Sequence, residues 1–260
     1  MKKQASTSIL STRNLNIGYD DTLVARNIEL NIHPGELIAV IGVNGSGKST
    51  LLKTITKELD AVSGEVFLEG VPLEKISVKE ISEKISIVLT ETHFSKNLSV
   101  KELVALGRHP YTNWLGVLSE NDKTEIQKAL DLIDLQDLAH RKCSNLSDGQ
   151  LQKVMLARAL AQNTPLIILD EPTTHLDLYH KAFVLKLLQK LSKTTQKAIV
   201  FATHEIDLAL QLCDQIILVN DVKVIQLTPE NLIKEKHLEH LFPSDLIQFD
   251  AVSKSFKIKS

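Results

Sequence analysis

The chain has no apolar run near the ~20 residues that a bilayer-crossing helix needs. Its first ten residues, MKKQASTSIL, lack the long apolar core of a secretion signal. Both absences lead to the expectation of a chain that stays in the cytoplasm. Cysteine is scarce: Cys143 and Cys213 are the two present, and they fit no CxxC or metal-ligand spacing. A reduced compartment and structural roles follow. Neither sign of charge dominates, with 30 basic against 32 acidic residues and a formal net charge of −2. No long basic run occurs, which argues against nucleic acid as the main partner. Only the tail from Ser253 to Ser260 is locally basic, and it reads as a solvated strand face. Internal repeats and low-complexity linkers are missing too. What remains is an ordinary globular composition, 43% hydrophobic over 260 residues, enough for one large α/β domain or two small ones.

The most informative stretch is GVNGSGKST, comprising Gly42, Val43, Asn44, Gly45, Ser46, Gly47, Lys48, Ser49 and Thr50. It follows the apolar run Leu37 to Ile41 and precedes Leu51 to Ile55, a helix start. Strand before and helix after is the setting of a phosphate-binding loop, and it separates this loop from a chance glycine-rich turn. The three glycines let the backbone curl so that successive N–H groups and a helix N-terminus point at a polyphosphate. In such a loop Lys48 reaches the terminal phosphates and Ser49 ligates Mg²⁺.

The first forty residues alternate polar and apolar positions (Ile9, Leu15, Ile17, then Val24, Ile28, Leu30, Ile32), which predicts short strands with a turn near Asp20 and Asp21. Strands are also predicted over 64–70 and 85–89. From Ser99 to about Gln162 the pattern turns helical: Ser99 with Glu102 makes a capping box, and Ser119 with Asp122 a looser one. Apolar strands return at 166–169, 198–202 and 216–219, separated by amphipathic helical segments. That alternation implies a mainly parallel sheet. Past Lys223 a strand, one or two short helices and a final hairpin around Val252 and Ser253 are expected.

Leu166 to Glu171 reads LIILDE, with two carboxylates at a strand end, where ligands bind in open α/β sheets. Asp170 is positioned to hold Mg²⁺ through water. Glu171 is positioned to polarise the water that attacks a γ-phosphate, since phosphoryl transfer needs positioning and electrostatics more than covalent chemistry. Standing alone, the pair also reads as a solvated acidic turn before Pro172. Leu146 to Gln150, LSDGQ, is by itself a capping box with Ser147 as N-cap and Gln150 at the third helical position.

The order GVNGSGKS, LSDGQ, LIILDEP and then His204 after an apolar strand resembles the ATP-binding subunit of ABC transporters over nearly the whole chain. The resemblance implies an α/β fold with a P-loop NTPase (RecA-like) core, an N-terminal antiparallel β subdomain and an inserted helical subdomain. The whole of 1–260 is then one ATPase domain, with helices at about 95–162 and a C-terminal extension at about 223–260. It implies ATP and Mg²⁺ as ligands. Ser147, Gly149 and Gln150 would contact the γ-phosphate of ATP held by a second copy, so that two copies sandwich two ATP. Thr174 to Asp177 stands where the family has its dimer-crossing D-loop, and His204 matches the switch histidine. Tyr19 resembles the aromatic that stacks on adenine, although as a residue it reads equally as a strand-end tyrosine.

Two positions depart from the family pattern. The Q-loop glutamine is replaced by Thr90-Glu91, with Thr90 the positional candidate for the metal and Glu91 the alternative. Asp148 stands where glycine is commoner, a carboxylate favourable to the helix dipole. Ala105 to Pro110, ALGRHP, resembles the subfamily serving iron(III)-siderophore, haem and cobalamin import, while the Gly and Pro alone read as a helix stop. That subfamily implies two copies docked on permease subunits at the cytoplasmic face of the membrane, fed by a solute-binding protein. The rival readings are an ABC importer for another metal or small molecule, a soluble ABC ATPase such as an iron–sulfur assembly factor, and a P-loop kinase.

Overall fold

Apolar runs without alternation become strands buried on both faces, as parallel sheets require. The protein is described by a computed structural model over residues 8–19, 22–89, 94–174, 176–239, 241–242 and 246–259. Its strands are β1 (Leu10–Tyr19), β2 (Thr22–Ile28), β3 (Asn31–Ile32), β4 (Leu37–Ile41), β5 (Ser63–Leu68), β6 (Val71–Pro72), β7 (Ile85–Val88), β8 (Leu166–Asp170), β9 (Ala198–Ala202), β10 (Gln215–Asn220), β11 (Lys223–Leu227), β12 (Ile247–Asp250) and β13 (Ser255–Ile258). The helices are α1 (Lys48–Ile55), α2 (Val78–Ser82), α3 (Val100–Ala105), α4 (Glu120–Leu132), α5 (Asp148–Ala161), α6 (Leu178–Thr195), α7 (Ile206–Leu212) and α8 (Pro229–Lys234). Asp20, Asp21, Thr90, Glu91 and His175, to which the sequence assigned a turn, a metal position and part of the D-loop, lie outside the described residues.

Two compact units divide the chain. The first comprises Met1–Ile76 with Leu185–Ser260. Its alternating N-terminal residues form an antiparallel sheet in the order β2-β1-β5-β6, with β3 also on β1. A second sheet runs β11-β10-β4-β9; β4 is parallel to both β10 and β9, and β11 turns back as a hairpin on β10. Every residue of β4 and β9 is 0% exposed, which explains why both read as unbroken apolar runs. With Val40 opposite Ala202, the residues that follow these two strands emerge at one edge. The C-terminal hairpin β12–β13 is present, its Phe256 making edge contacts with Phe242 and Phe249.

The second unit, Ser77–Val184, pairs β7 in parallel with β8 and surrounds them with helices. The serine before each of α2, α3, α4 and α5 accepts a hydrogen bond from the N–H three residues on, and the acidic or amide side chain there reaches back. These reciprocal capping boxes satisfy helix-start N–H groups that would otherwise be orphaned.

The GRHP segment does more than stop a helix. It continues α3 as a 3₁₀ turn over Leu106–Tyr111. A Cβ on Gly107 would stand 2.2 Å from the Arg158 carbonyl oxygen, so only glycine lets this turn approach α5. Arg108 Nε donates to Asp122 Oδ1 at 2.8 Å with the two side chains 3% and 4% exposed. Its Nη1 donates to the Ala161 carbonyl at 2.8 Å, and its guanidinium covers the Tyr111 ring at 3.9 Å. Burial would raise the Asp122 pKa, but hydrogen bonds from Ser119 and Arg108 outweigh it and hold the carboxyl below its ordinary value. Removing one member of a buried pair strands the other charge. Arg108→Met is therefore expected to destabilise the protein by about 3–5 kcal/mol, read as a lower urea midpoint; an unchanged midpoint would contradict the seam described here.

Candidate nucleotide-binding and hydrolysis site

In the first unit the chain leaves β4, makes the glycine-rich loop and enters α1 at Lys48. Gly47 is the helix N-cap at φ 106°, and a Cβ there would meet Val24 Cγ1 at 2.4 Å. A side chain at this position is excluded both by backbone conformation and by space. Lys48 is 6% exposed. Its Nζ donates to the carbonyl oxygens of Gly42 at 3.0 Å and Val43 at 3.1 Å, closing the loop around itself. Ser46 Oγ is buried with no hydrogen-bond partner among the described residues. A cationic amine, an unsatisfied hydroxyl and a helix N-terminus in one loop form an anion cradle.

Tyr19 ends β1 and is tied to this helix, since Thr50 Oγ1 donates to its hydroxyl at 3.4 Å. Tyr19 is 46% exposed, so the residue keeps accessible surface on which a base can stack. His204 comes two residues after β9 and therefore at the same strand edge as the glycine-rich loop. Its turn is fastened on both sides: Thr203 N–H donates to Val40 O at 3.1 Å, and Ile206 N–H donates to His204 O at 3.0 Å. The loop, Tyr19 and His204 are thus held by one unit.

In the second unit β8 ends at Asp170, and Glu171 takes φ 50°, a left-handed conformation uncommon for glutamate. Thr174 holds it there: its N–H donates to Glu171 O at 3.2 Å and its Oγ1 to Glu171 Oε2 at 3.1 Å. Asp170, Glu171 and Thr174 line an open cavity of about 200 Å³ together with Asp148, Gln152 and Met155 of α5. Asp148 therefore borders the same space as the acidic pair. Ser147 and Gln150 form the capping box at the start of α5, with Gln150 N–H donating to Ser147 Oγ at 3.3 Å. A hydroxyl that accepts in this way keeps its own O–H for an anion. Ser49 and Asp170 offer hard oxygen donors, the kind Mg²⁺ takes beside substrate phosphates.

Sequence reasoning placed these residues on the right elements but missed two features. The bond from Thr174 to Glu171 was signalled only by its spacing of three residues. The left-handed Glu171 had no sequence signal, because nothing but a fold specifies it.

A glycine-rich phosphate loop between a buried parallel strand and a helix, with an acidic strand end elsewhere in the sheet-forming chain, defines a P-loop nucleoside triphosphatase. The pattern of the ABC transporter family matches residues 25–174. An uncharacterised ABC transporter ATP-binding protein of Methanocaldococcus jannaschii is 39% identical, over 97% of this chain and 87% of its own. The petrobactin import ATP-binding protein FpuD of Bacillus anthracis is 36% identical, over 90% and 86%. Among solved structures, a metal-chelate type ABC transporter in an inward-facing conformation superposes with a TM-score of 0.80 at 29% identity, covering 96% of this chain and 95% of that one. The chain belongs to the ABC transporter family: it is an ATP-binding subunit, an ATPase of the kind that powers transport. Subunits of this family dimerise and join membrane permeases. Among the described residues of this chain, no helix is long and apolar enough to cross a membrane.

Proposed function

We propose that this chain hydrolyses ATP to drive import of an iron(III)-siderophore across a membrane, as a peripheral subunit on the cytoplasmic face. The observation that carries this reading is the 36% identity, in an alignment over nine-tenths of the chain, with a petrobactin import ATP-binding protein. The GRHP seam of the helical unit supports it, and haem or cobalamin are the other solutes of the same resemblance. A permease partner is further supported by the loop after Tyr111, where Trp114, Leu115 and Val117 are 92%, 64% and 58% exposed. A solute-binding protein would deliver the chelate to that permease.

In the proposed site, Gly42 to Thr50 wrap the phosphates, Lys48 neutralises the β- and γ-phosphates, and Tyr19 stacks on adenine. Ser49 and Asp170 would hold Mg²⁺, with Thr90 the third position proposed for it, and the bound ion would supply neutralising charge to the phosphates. Glu171 accepts a hydrogen bond from the attacking water and draws its proton, while His204 donates to the γ-phosphate. Ser147, Gly149 and Gln150 of a second copy close over the same phosphate, so hydrolysis needs the dimer. Closing and reopening of that dimer, transmitted through the helices at about 95–162, moves the permease. The extension at about 223–260 completes a single ATPase domain in this reading.

The test is uptake of radiolabelled iron presented as its siderophore chelate by cells lacking this chain. Uptake is expected to fall to background and to return with the intact gene but not with Glu171→Gln. Unaffected uptake of ferric siderophore, haem and cobalamin alike would overturn the solute class.

A further inference from the structure

We infer that His180 is a positioning residue for ATP hydrolysis, bracing the LSDGQ turn against the D-loop of the same subunit. This rests on the reading that Ser147, Gly149 and Gln150 complete the ATP site of a second copy. Three contacts carry it, all within the second unit. First, the His180 ring lies against the signature glycine: a Cβ built on Gly149 would be 3.2 Å from His180 Cδ2 and 3.8 Å from Nε2. Second, the ring is held in that orientation by Asp177, whose Oδ1 is 2.9 Å from His180 Nδ1. The same oxygen accepts the His180 backbone N–H at 2.9 Å, so the start of α6 does not depend on the side chain. Third, one turn further along, Lys153 Nζ sits 4.5 Å from the centre of the Phe183 ring, which keeps α5 and α6 side by side.

The physical consequence is directional. Gly149 carries no side chain, so nothing on its own residue fixes the turn against α6, and the imidazole supplies the missing wall. Asp177 locks the ring by a hydrogen bond that requires the proton on Nδ1, which turns the Cδ2–Nε2 edge to Gly149. Asp177 gains from this as well: the backbone and side-chain hydrogen bonds from His180 hold its carboxyl below its ordinary pKa. Two segments expected to reach the opposite nucleotide are thereby joined into one piece. His180 is half exposed, so its loss removes little burial. Its effect should fall on dimer closure rather than on folding or on nucleotide capture by the glycine-rich loop.

The experiment uses the full-length protein carrying Glu171→Gln, in which ATP should trap the dimer. Dimer formation is followed by light scattering against ATP concentration, and monomer binding of a fluorescent ATP analogue is measured in parallel. Adding His180→Ala is expected to raise the ATP concentration needed for dimerisation about tenfold and to leave analogue binding unchanged. His180→Phe keeps a ring against Gly149 and should recover part of the loss. His180→Asn keeps only a donor for Asp177 and should not. Equal dimerisation with and without His180→Ala, or full recovery by His180→Asn, overturns the bracing role alone. If the Glu171→Gln parent forms no dimer with ATP, the two-copy site fails and the inference fails with it.

Discussion

Glu171→Gln is expected to lower steady-state ATP hydrolysis about 1,000-fold, within the range that a positioned general base contributes, while ATP stays bound. The substitution keeps the shape of the side chain and an oxygen for Thr174 Oγ1, which now bonds Glu171 at 3.1 Å. Backbone conformation should persist too, because the Thr174 N–H holds the Glu171 carbonyl whatever the side chain is. What disappears is the negative charge that draws the proton from water. Phosphate release and nucleotide binding, measured separately, check the split: hydrolysis lost with affinity retained supports the base. Hydrolysis within a few-fold of the parent would remove Glu171 from that role.

Lys48→Ala is expected to fail one step earlier, at binding. Hydrogen bonds to a charged group are worth about 1.5–3 kcal/mol each, and Lys48 Nζ donates to Gly42 O and Val43 O. About 100-fold weaker ATP affinity follows from about 3 kcal/mol of lost interaction. A second effect runs through the loop itself. Without the amine the two carbonyls lose a shared donor, so thermal stability should fall modestly even with no nucleotide. Equilibrium dialysis with labelled ATP separates the two: normal affinity in Lys48→Ala would mean that the loop is not the nucleotide site.

How much of this was legible before the fold depended on whether a residue acts locally. Lys48 and the loop glycines carry their chemistry within nine consecutive residues, and β4 and β9 announce themselves because burial on both faces forces unbroken apolar runs. Capping boxes at Ser99, Ser119 and Ser147 were readable for the same reason, since both partners lie three residues apart. The box at Ser77 and Glu80 carries the same signal, yet α2 is a five-residue helix with too few turns to show periodicity. Arg108 was placed in a motif, but its partner Asp122 was read only as a cap. The buried ion pair joins residues whose proximity depends on how α4 returns. His180 was invisible for a like reason. It follows the D-loop as one more polar residue, and only the approach of α6 to Gly149 gives it a neighbour.

The most direct test of the account begins with a tagged Glu171→Gln chain expressed in its native cell. Membranes are solubilised in mild detergent with ATP and Mg²⁺, and the co-purifying proteins are identified. A polytopic permease in stoichiometric yield is the predicted result, and its loss on adding Lys48→Ala would tie the assembly to ATP. Recovery of soluble partners only, with the protein absent from membranes, would contradict the importer and leave an ATPase serving another machine.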